Sequence, residues 1–258
     1  MKKFFFIFHF VISSSSFANC GGPQDLLVIG DSQTGATWSR SYFGNFLQQC
    51  LNGKFVIFGK GGSNPRTWYT GGLENVEIVK RDPVNPHINL GPGPTLPLCQ
   101  KRLSEMIEGY NPKKILFFFG DNMIASSDEE IKKEMLSLLE IISKKNIYRE
   151  NCFFLTPSFE MEVKTKRNVT RKNLPNTERI RNIISNTILN KCQHIDGLEV
   201  MKNSPYFDGK ELLRRVLIQG KAGCGGAAEN DNIHLCGESA KDLAEKVCTI
   251  LNESMEEN

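Results

Sequence analysis

Histidine is scarce in this chain: His9, His87, His194 and His234 are all it has. The 8 cysteines contain no Cys-x-x-Cys pair, and no histidine stands at ligand spacing from them. That argues against a zinc site. The glycine-rich stretch Gly59-Lys60-Gly61-Gly62-Ser63 lacks the Gly-Lys-Ser/Thr ending of a phosphate-binding loop. No repeat period is present. Charge of one sign is lacking too: 32 basic residues face 29 acidic ones, for a net charge of +3, and the basic residues are scattered. Nothing in that balance singles out nucleic acid as a partner.

Long apolar runs are also missing, apart from one at the start. Met1-Lys2-Lys3 is followed by an apolar stretch over 4–12, too short to span a membrane comfortably. Ser16-Phe17-Ala18 then fits the small-x-small cleavage rule, so residues 1–18 read as a signal peptide. Residues 19–258 suit a single α/β domain with no transmembrane segment, exported to a periplasm or to the outside. Cys20, just after the cleavage point, leaves lipoprotein anchoring as the other reading. All the cysteines (Cys20, Cys50, Cys99, Cys152, Cys192, Cys224, Cys236 and Cys248) follow that point. An even count in an exported chain implies disulfides. Cys224 and Cys236 bracket a short loop that a bridge between them would stiffen.

Leu26-Leu27-Val28-Ile29 is an apolar run too short for a helix and reads as a buried strand. Gly30-Asp31-Ser32 breaks it, and Gly35 keeps the turn loose. A serine at the C-terminal end of the first buried strand stands where open α/β sheets bind their ligands. It also suits the start of the next helix, whose free N–H groups favour negative charge. Taken alone, it reads equally well as a plain helix cap.

Residues 37–51 place Trp38, Tyr42, Phe43, Phe46 and Leu47 at helical spacing, and Asn52-Gly53 ends that helix. Phe55-Val56-Ile57-Phe58 is a second strand, and the glycines after it let the backbone approach a ligand. Residues 68–98 are rich in proline and glycine, including Pro83, Pro86, Pro92, Pro94 and Pro97. They read as a long irregular insertion, either overhanging a site or pinned by Cys99 as a plain loop. A helix over 100–110 stops at Asn111-Pro112, and a central strand over 114–119 ends in Gly120-Asp121-Asn122. Ile131, Met135, Leu138, Leu139 and Ile142 mark the next helix. A fourth strand over 152–156 is closed by Pro157. Residues 161–174 read as a basic, polar connection, 180–188 as a helix and 195–201 as a weaker last strand. A C-terminal helix carries Ala240, Leu243, Ala244, Val247 and Leu251, with Cys248 beside that stripe. Strands alternating with helices imply a three-layer α/β/α sandwich around a mostly parallel, flavodoxin-like sheet of about five strands.

In a parallel sheet Ser32, the Gly61-Gly62 loop and Asn122 all fall on one edge. A fourth piece, Asp231-Asn232-Ile233-His234, precedes the last helix, and its spacing lets one turn present a carboxylate and an imidazole together. His194, with Asp196 two residues on, is a second His/Asp pair.

Taken in order, these pieces resemble the SGNH (GDSL-like) hydrolase family over residues 26–251. Gly30-Asp31-Ser32 looks like its first block. Gly62, followed by Ser63 and Arg66, fits the second, with Gly61 as the alternative. Gly120-Asp121-Asn122 looks like the third, and Asp231 with His234 like the last. Gln33 departs from the usual leucine, and Met123 from a frequent aspartate. The resemblance implies Ser32 as nucleophile, His234 as general base and Asp231 as its orienting carboxylate. It assigns the oxyanion hole to the N–H groups of Ser32 and Gly62 and the amide of Asn122. No metal or other cofactor is implied.

The implied partner is an ester substrate, foremost an acetylated glycan such as a polysaccharide or peptidoglycan. The loop from Gly62 to Arg66 is reminiscent of acetylesterase members. Trp68 and Tyr69 are candidates for a sugar platform, or equally for core. The alternatives are a lipid-directed esterase, lipase or thioesterase, an O-acyltransferase, and a non-catalytic glycan-binding protein.

Overall fold

The computed structural model describes residues 22–34, 43–73, 76–82, 85–90, 102–157, 162–164, 170–172, 174–205 and 237–256. In chain order the first half holds β1 (Leu26–Gly30), α1 (Phe43–Cys50), β2 (Phe55–Gly59), α2 (Pro65–Thr70), β3 (Glu77–Asp82), β4 (Asn85–Leu90) and α3 (Leu103–Tyr110). There follow β5 (Lys114–Phe118), α4 (Asp128–Lys144), β6 (Cys152–Leu155), β7 (Glu162–Lys164), β8 (Thr170–Lys172), α5 (Leu174–Ile188), β9 (Gln193–Ile195), α6 (Gly197–Met201) and α7 (Glu238–Glu256).

β1, β2, β5 and β6 are buried along their whole length. They are unbroken apolar runs because each must pack on both faces. Alternate side chains point to opposite faces. Leu27, Ile29, Val56, Phe58, Ile115, Phe117 and Phe154 share one core with residues of α3, α4 and α5. Leu26, Val28, Phe55, Ile57, Leu116, Phe118 and Phe153 share the other with residues of α1, α6 and α7. The result is the expected three-layer sandwich.

The sheet order is β4-β3-β2-β1-β5-β6-β9. β2, β1, β5, β6 and β9 run parallel, in the flavodoxin-like order. The chain leaves β1 toward β2 on one side and builds outward from β5 on the other. The C-terminal ends of β1 and β5 therefore flank the point where strand order reverses, which is where such sheets bind ligands.

Three expectations need correction. The proline-rich insertion is not irregular throughout. It opens with α2, and β3 and β4 then form an antiparallel hairpin that widens the sheet beyond β2. Pro86 is tolerated because β4 is the edge strand, and the β3–β4 register shifts between Lys80 and Asp82. The hairpin pairs Gly59 with Glu77 and Phe55 with Arg81, so it lies beside β2 rather than over the sheet's C-terminal edge. The polar connection expected over 161–174 contains the two-stranded β7–β8 ladder. The last strand is Gln193–Ile195; Asp196 then ends it by capping α6, accepting the N–H groups of Leu198 (2.9 Å) and Glu199 (3.3 Å).

Among the described residues two disulfides are formed. Cys50–Cys248 joins α1 to α7, and Cys152–Cys192 joins the segments that open β6 and β9. The suggested Cys224–Cys236 pair lies outside the described residues, as do Cys20, Cys99 and the expected signal peptide over 1–18. Among the described residues no helix is long and apolar enough to cross a membrane.

Candidate active site

The turn after β1 is built around Gly30 and Asp31. A Cβ on Gly30 would stand 1.9 Å from Thr34 Oγ1 and 2.8 Å from the Phe118 carbonyl oxygen, so no larger residue fits. Asp31 is buried, and its carboxylate accepts the Gln33 N–H at 2.9 Å. Its carbonyl accepts both the N–H (3.1 Å) and the hydroxyl (3.0 Å) of Thr34. Asp31 thus shapes the turn. Ser32 begins the short 3-10 turn Ser32–Thr34 and is only partly covered, whereas Gln33 and Thr34 point into the protein.

The loop after β2 closes against that turn. Lys60 N–H donates to the Gly30 carbonyl (3.1 Å), and Ser63 N–H donates back to the Lys60 carbonyl (3.2 Å). Gly62 has φ +71°, and the space where its Cβ would stand is open. The requirement for glycine here is conformational. Gly61 is not among the residues with positive φ, which favours Gly62 as the special glycine of this loop.

The loop after β5 holds Asn122. Gly120 has φ +147°, and a Cβ there would meet the Pro157 ring at 2.3 Å. The 3-10 turn Asp121–Met123 follows, with Met123 fully buried in the core. Met123 therefore anchors the turn from below while Asn122 stays exposed. The Asn122 amide donates one N–H to the Ser63 carbonyl, at 3.0 Å, and so bridges the β5 and β2 loops across the end of β1. Ser32, Gly62 and Asn122 are thereby gathered on one edge, on three adjacent strands.

Asp231 and His234 lie outside the described residues, which resume at Gly237, just before α7. Two other histidines can be placed. His87 is in β4 and His194 in β9, each three strands from β1. Three strand spacings are roughly 14 Å, too far for a direct hydrogen bond to Ser32. His194 is instead engaged with Thr156 Oγ1 at 3.1 Å. Desolvation holds its pKa below the usual histidine value, partly opposed by Asp196.

Trp68 is fully buried, so it is core and not a sugar platform; its indole N–H donates to Ser63 Oγ at 3.1 Å. Beside it, Glu134 of α4 accepts Asn64 Nδ2–H (3.3 Å) and Arg66 N–H (3.4 Å). Burial pushes the Glu134 carboxyl up, against the opposing pull of Arg66. Sequence reasoning missed the role of Ser63, whose contacts come from three other segments. Among the described residues no group of three His, Cys, Asp or Glu side chains could hold a metal ion.

No protein-family model matches the sequence, and no curated protein matches it. Solved structures do match. A carbohydrate acetylesterase family member from Sinorhizobium meliloti aligns over 90% of this chain and 99% of its own, with 12% identity and a TM-score of 0.54. A GDSL-like lipase from Bacteroides thetaiotaomicron aligns over 88% and 87%, with 11% identity and a TM-score of 0.54. An aryl esterase from M. smegmatis aligns over 88% and 98%, with 12% identity and a TM-score of 0.51. At such identities the likeness is one of fold, and it extends over nearly the whole chain. The chain has the SGNH, or GDSL-like, hydrolase fold.

Proposed function

We propose that the protein is an exported serine esterase that removes O-acetyl groups from a carbohydrate, such as a polysaccharide or peptidoglycan. The observation that carries this reading is the gathering of Ser32, Gly62 and Asn122 at the switch point of the sheet, with Asn122 braced on the β2 loop. A serine hydroxyl is a poor nucleophile without a base within hydrogen-bond reach. His87 and His194 lie three strands off, so His234 is the histidine of the mature chain left for that role.

His234 takes the proton from Ser32 as its oxygen attacks the acetyl carbonyl, and returns it to the departing sugar hydroxyl. Asp231 holds the imidazole in the right tautomer and stabilises its charged form. The N–H groups of Ser32 and Gly62 and the free amide hydrogen of Asn122 receive the oxyanion. Water then attacks the acetyl-Ser32 ester by the same route and releases acetate. The acetyl preference is supported by the carbohydrate acetylesterase among the structural matches. The aryl esterase and lipase among them keep other acyl esters in the comparison. Export is supported by the leader over 1–18 and by the two disulfides, which persist in oxidising compartments.

A chain-length series of nitrophenyl esters, from acetate to palmitate, tests the reading with the oxidised mature protein and Ser32→Ala. The expected result is turnover largely confined to acetate and abolished by Ser32→Ala. A preference for long chains moves the substrate to lipid. Turnover that survives Ser32→Ala removes Ser32 from the mechanism.

A further inference from the structure

Ser63 is 1% exposed, yet it joins four segments by hydrogen bonds. Its N–H donates to the Lys60 carbonyl (3.2 Å), closing the turn that holds Gly62. Its hydroxyl donates to the Gly30 carbonyl (3.4 Å), two residues before Ser32. The same hydroxyl accepts the indole N–H of Trp68 (3.1 Å), and its carbonyl accepts the Asn122 amide (3.0 Å). One buried residue therefore touches the end of β1, the β2 turn, the β5 turn and α2.

We infer that Ser63 is a positioning residue of the oxyanion hole, aligning both the Gly62 N–H and the Asn122 amide. This rests on the esterase reading above. An asparagine amide has two N–H donors. Spending one on the Ser63 carbonyl fixes the amide plane and aims the other away from that bond. Asn122 is exposed, so the structure offers its side chain little else to hold it. Gly62 is a left-handed glycine with open space around it, and glycine is the residue with the most freedom to lose. Its neighbour's three anchored groups remove that freedom before substrate arrives. Donors fixed in advance need no reorganisation during reaction, which is the source of their catalytic value. Trp68 completes the arrangement: its buried N–H requires an acceptor, and Ser63 Oγ is that acceptor, so the hydroxyl's own proton is left for Gly30.

The test is Ser63→Ala, with Ser63→Cys as a second variant of similar size and weak hydrogen-bonding power. Steady-state hydrolysis of nitrophenyl acetate is measured well below each melting temperature. Active sites are counted by fluorophosphonate labelling of Ser32. Expected is a fall in kcat of about tenfold for Ser63→Ala, less for Ser63→Cys, with KM little changed. In an Asn122→Ala background the same change costs clearly less, because the group it aligns is already gone. Ser63→Thr, which keeps the hydroxyl, restores most of kcat. Wild-type kcat per labelled site in both Ser63→Ala and Ser63→Cys overturns the inference. So does a loss that is fully additive with Asn122→Ala, which marks a merely structural role. If Ser63→Ala does not fold, Ser63→Cys decides by the same criteria. A wild-type protein with neither Ser32-dependent turnover nor Ser32 labelling overturns the esterase reading, and this inference with it.

Discussion

Asn122 shows how much one exposed side chain carries. One amide hydrogen is bonded to the Ser63 carbonyl, and the other is the donor assigned to the oxyanion. Asn122→Ala is expected to lower kcat by about 10²–10³-fold, equivalent to ~2.7–4 kcal/mol of barrier. Its melting temperature should fall only modestly, because the side chain is exposed and what it loses is the hydrogen bond to the Ser63 carbonyl. Near-normal kcat in that folded variant would take Asn122 out of the hole. At this scale the chain was partly legible. Glycines at 30, 62 and 120 signalled special turns, and the short blocks around them fall on the loops at one edge of the sheet. The steric reasons were invisible, because Thr34 and Pro157, which exclude a Cβ at Gly30 and Gly120, are not patterned with them. Asp31 looked like part of a chemical motif, yet its carboxylate is turned back on the Gln33 N–H. Ser63 stood in the second block, but its bridging contacts gave no linear signal, since an inward serine differs from an outward one only in its distant partners.

Among the elements, α2 is the one that backs the site, and it is held by α4. Asn64 caps α2 and forms a capping box with Thr67. Glu134 of α4 then receives Asn64 Nδ2–H and Arg66 N–H. Burial is the foremost influence on Glu134 and raises its pKa above the usual glutamate value; Arg66 opposes this, and Glu130 adds to the rise. A carboxyl raised in the folded state stabilises the fold fully below its unfolded pKa, and that contribution is lost as pH rises through the folded pKa. Glu134→Gln removes the titration; it leaves one acceptor oxygen where Asn64 Nδ2–H and Arg66 N–H each had their own, a loss that does not vary with pH. Its melting temperature relative to wild type should therefore rise as pH goes from about 4 to 7. A pH-independent difference would show that Glu134 is not strained by its charge. α4 itself was legible from its apolar spacing, because a long helix repeats its signal. The β3–β4 hairpin was not, because its prolines mimic a loop and only its edge position makes Pro86 harmless. The strand expected over 195–201 failed for a different reason: Asp196 caps α6, and a cap interrupts an apolar pattern by one residue only.

At the scale of the whole molecule, the two disulfides found among the described residues close loops of very different size. Cys50–Cys248 spans 198 residues and fastens α1, which follows the Ser32 turn, to α7, which follows the stretch containing Asp231 and His234. Cys152–Cys192 spans 40 residues within one end of the sheet. A bridge acts largely by limiting the unfolded chain, by an amount that grows with the logarithm of the loop. Removing either pair as a double alanine variant should cost about 2–5 kcal/mol. The loop lengths alone make the Cys50–Cys248 deletion the costlier by about 1.4 kcal/mol. Urea unfolding of the two double variants against wild type measures both numbers. The opposite order would mean that burial decides instead. Cys152 and Cys192 are both nearly inaccessible, whereas Cys50 is only partly covered, so local packing loss weighs against the 152–192 pair. The comparison therefore separates chain entropy from core packing in one protein. It also asks whether the long bridge matters beyond stability. If the α1–α7 bond holds the Ser32 side and the His234 side in register, its removal should lower kcat at temperatures where the variant remains folded. Loss of the Cys152–Cys192 bond, at the sheet edge opposite the Ser32 turn, should leave kcat unchanged.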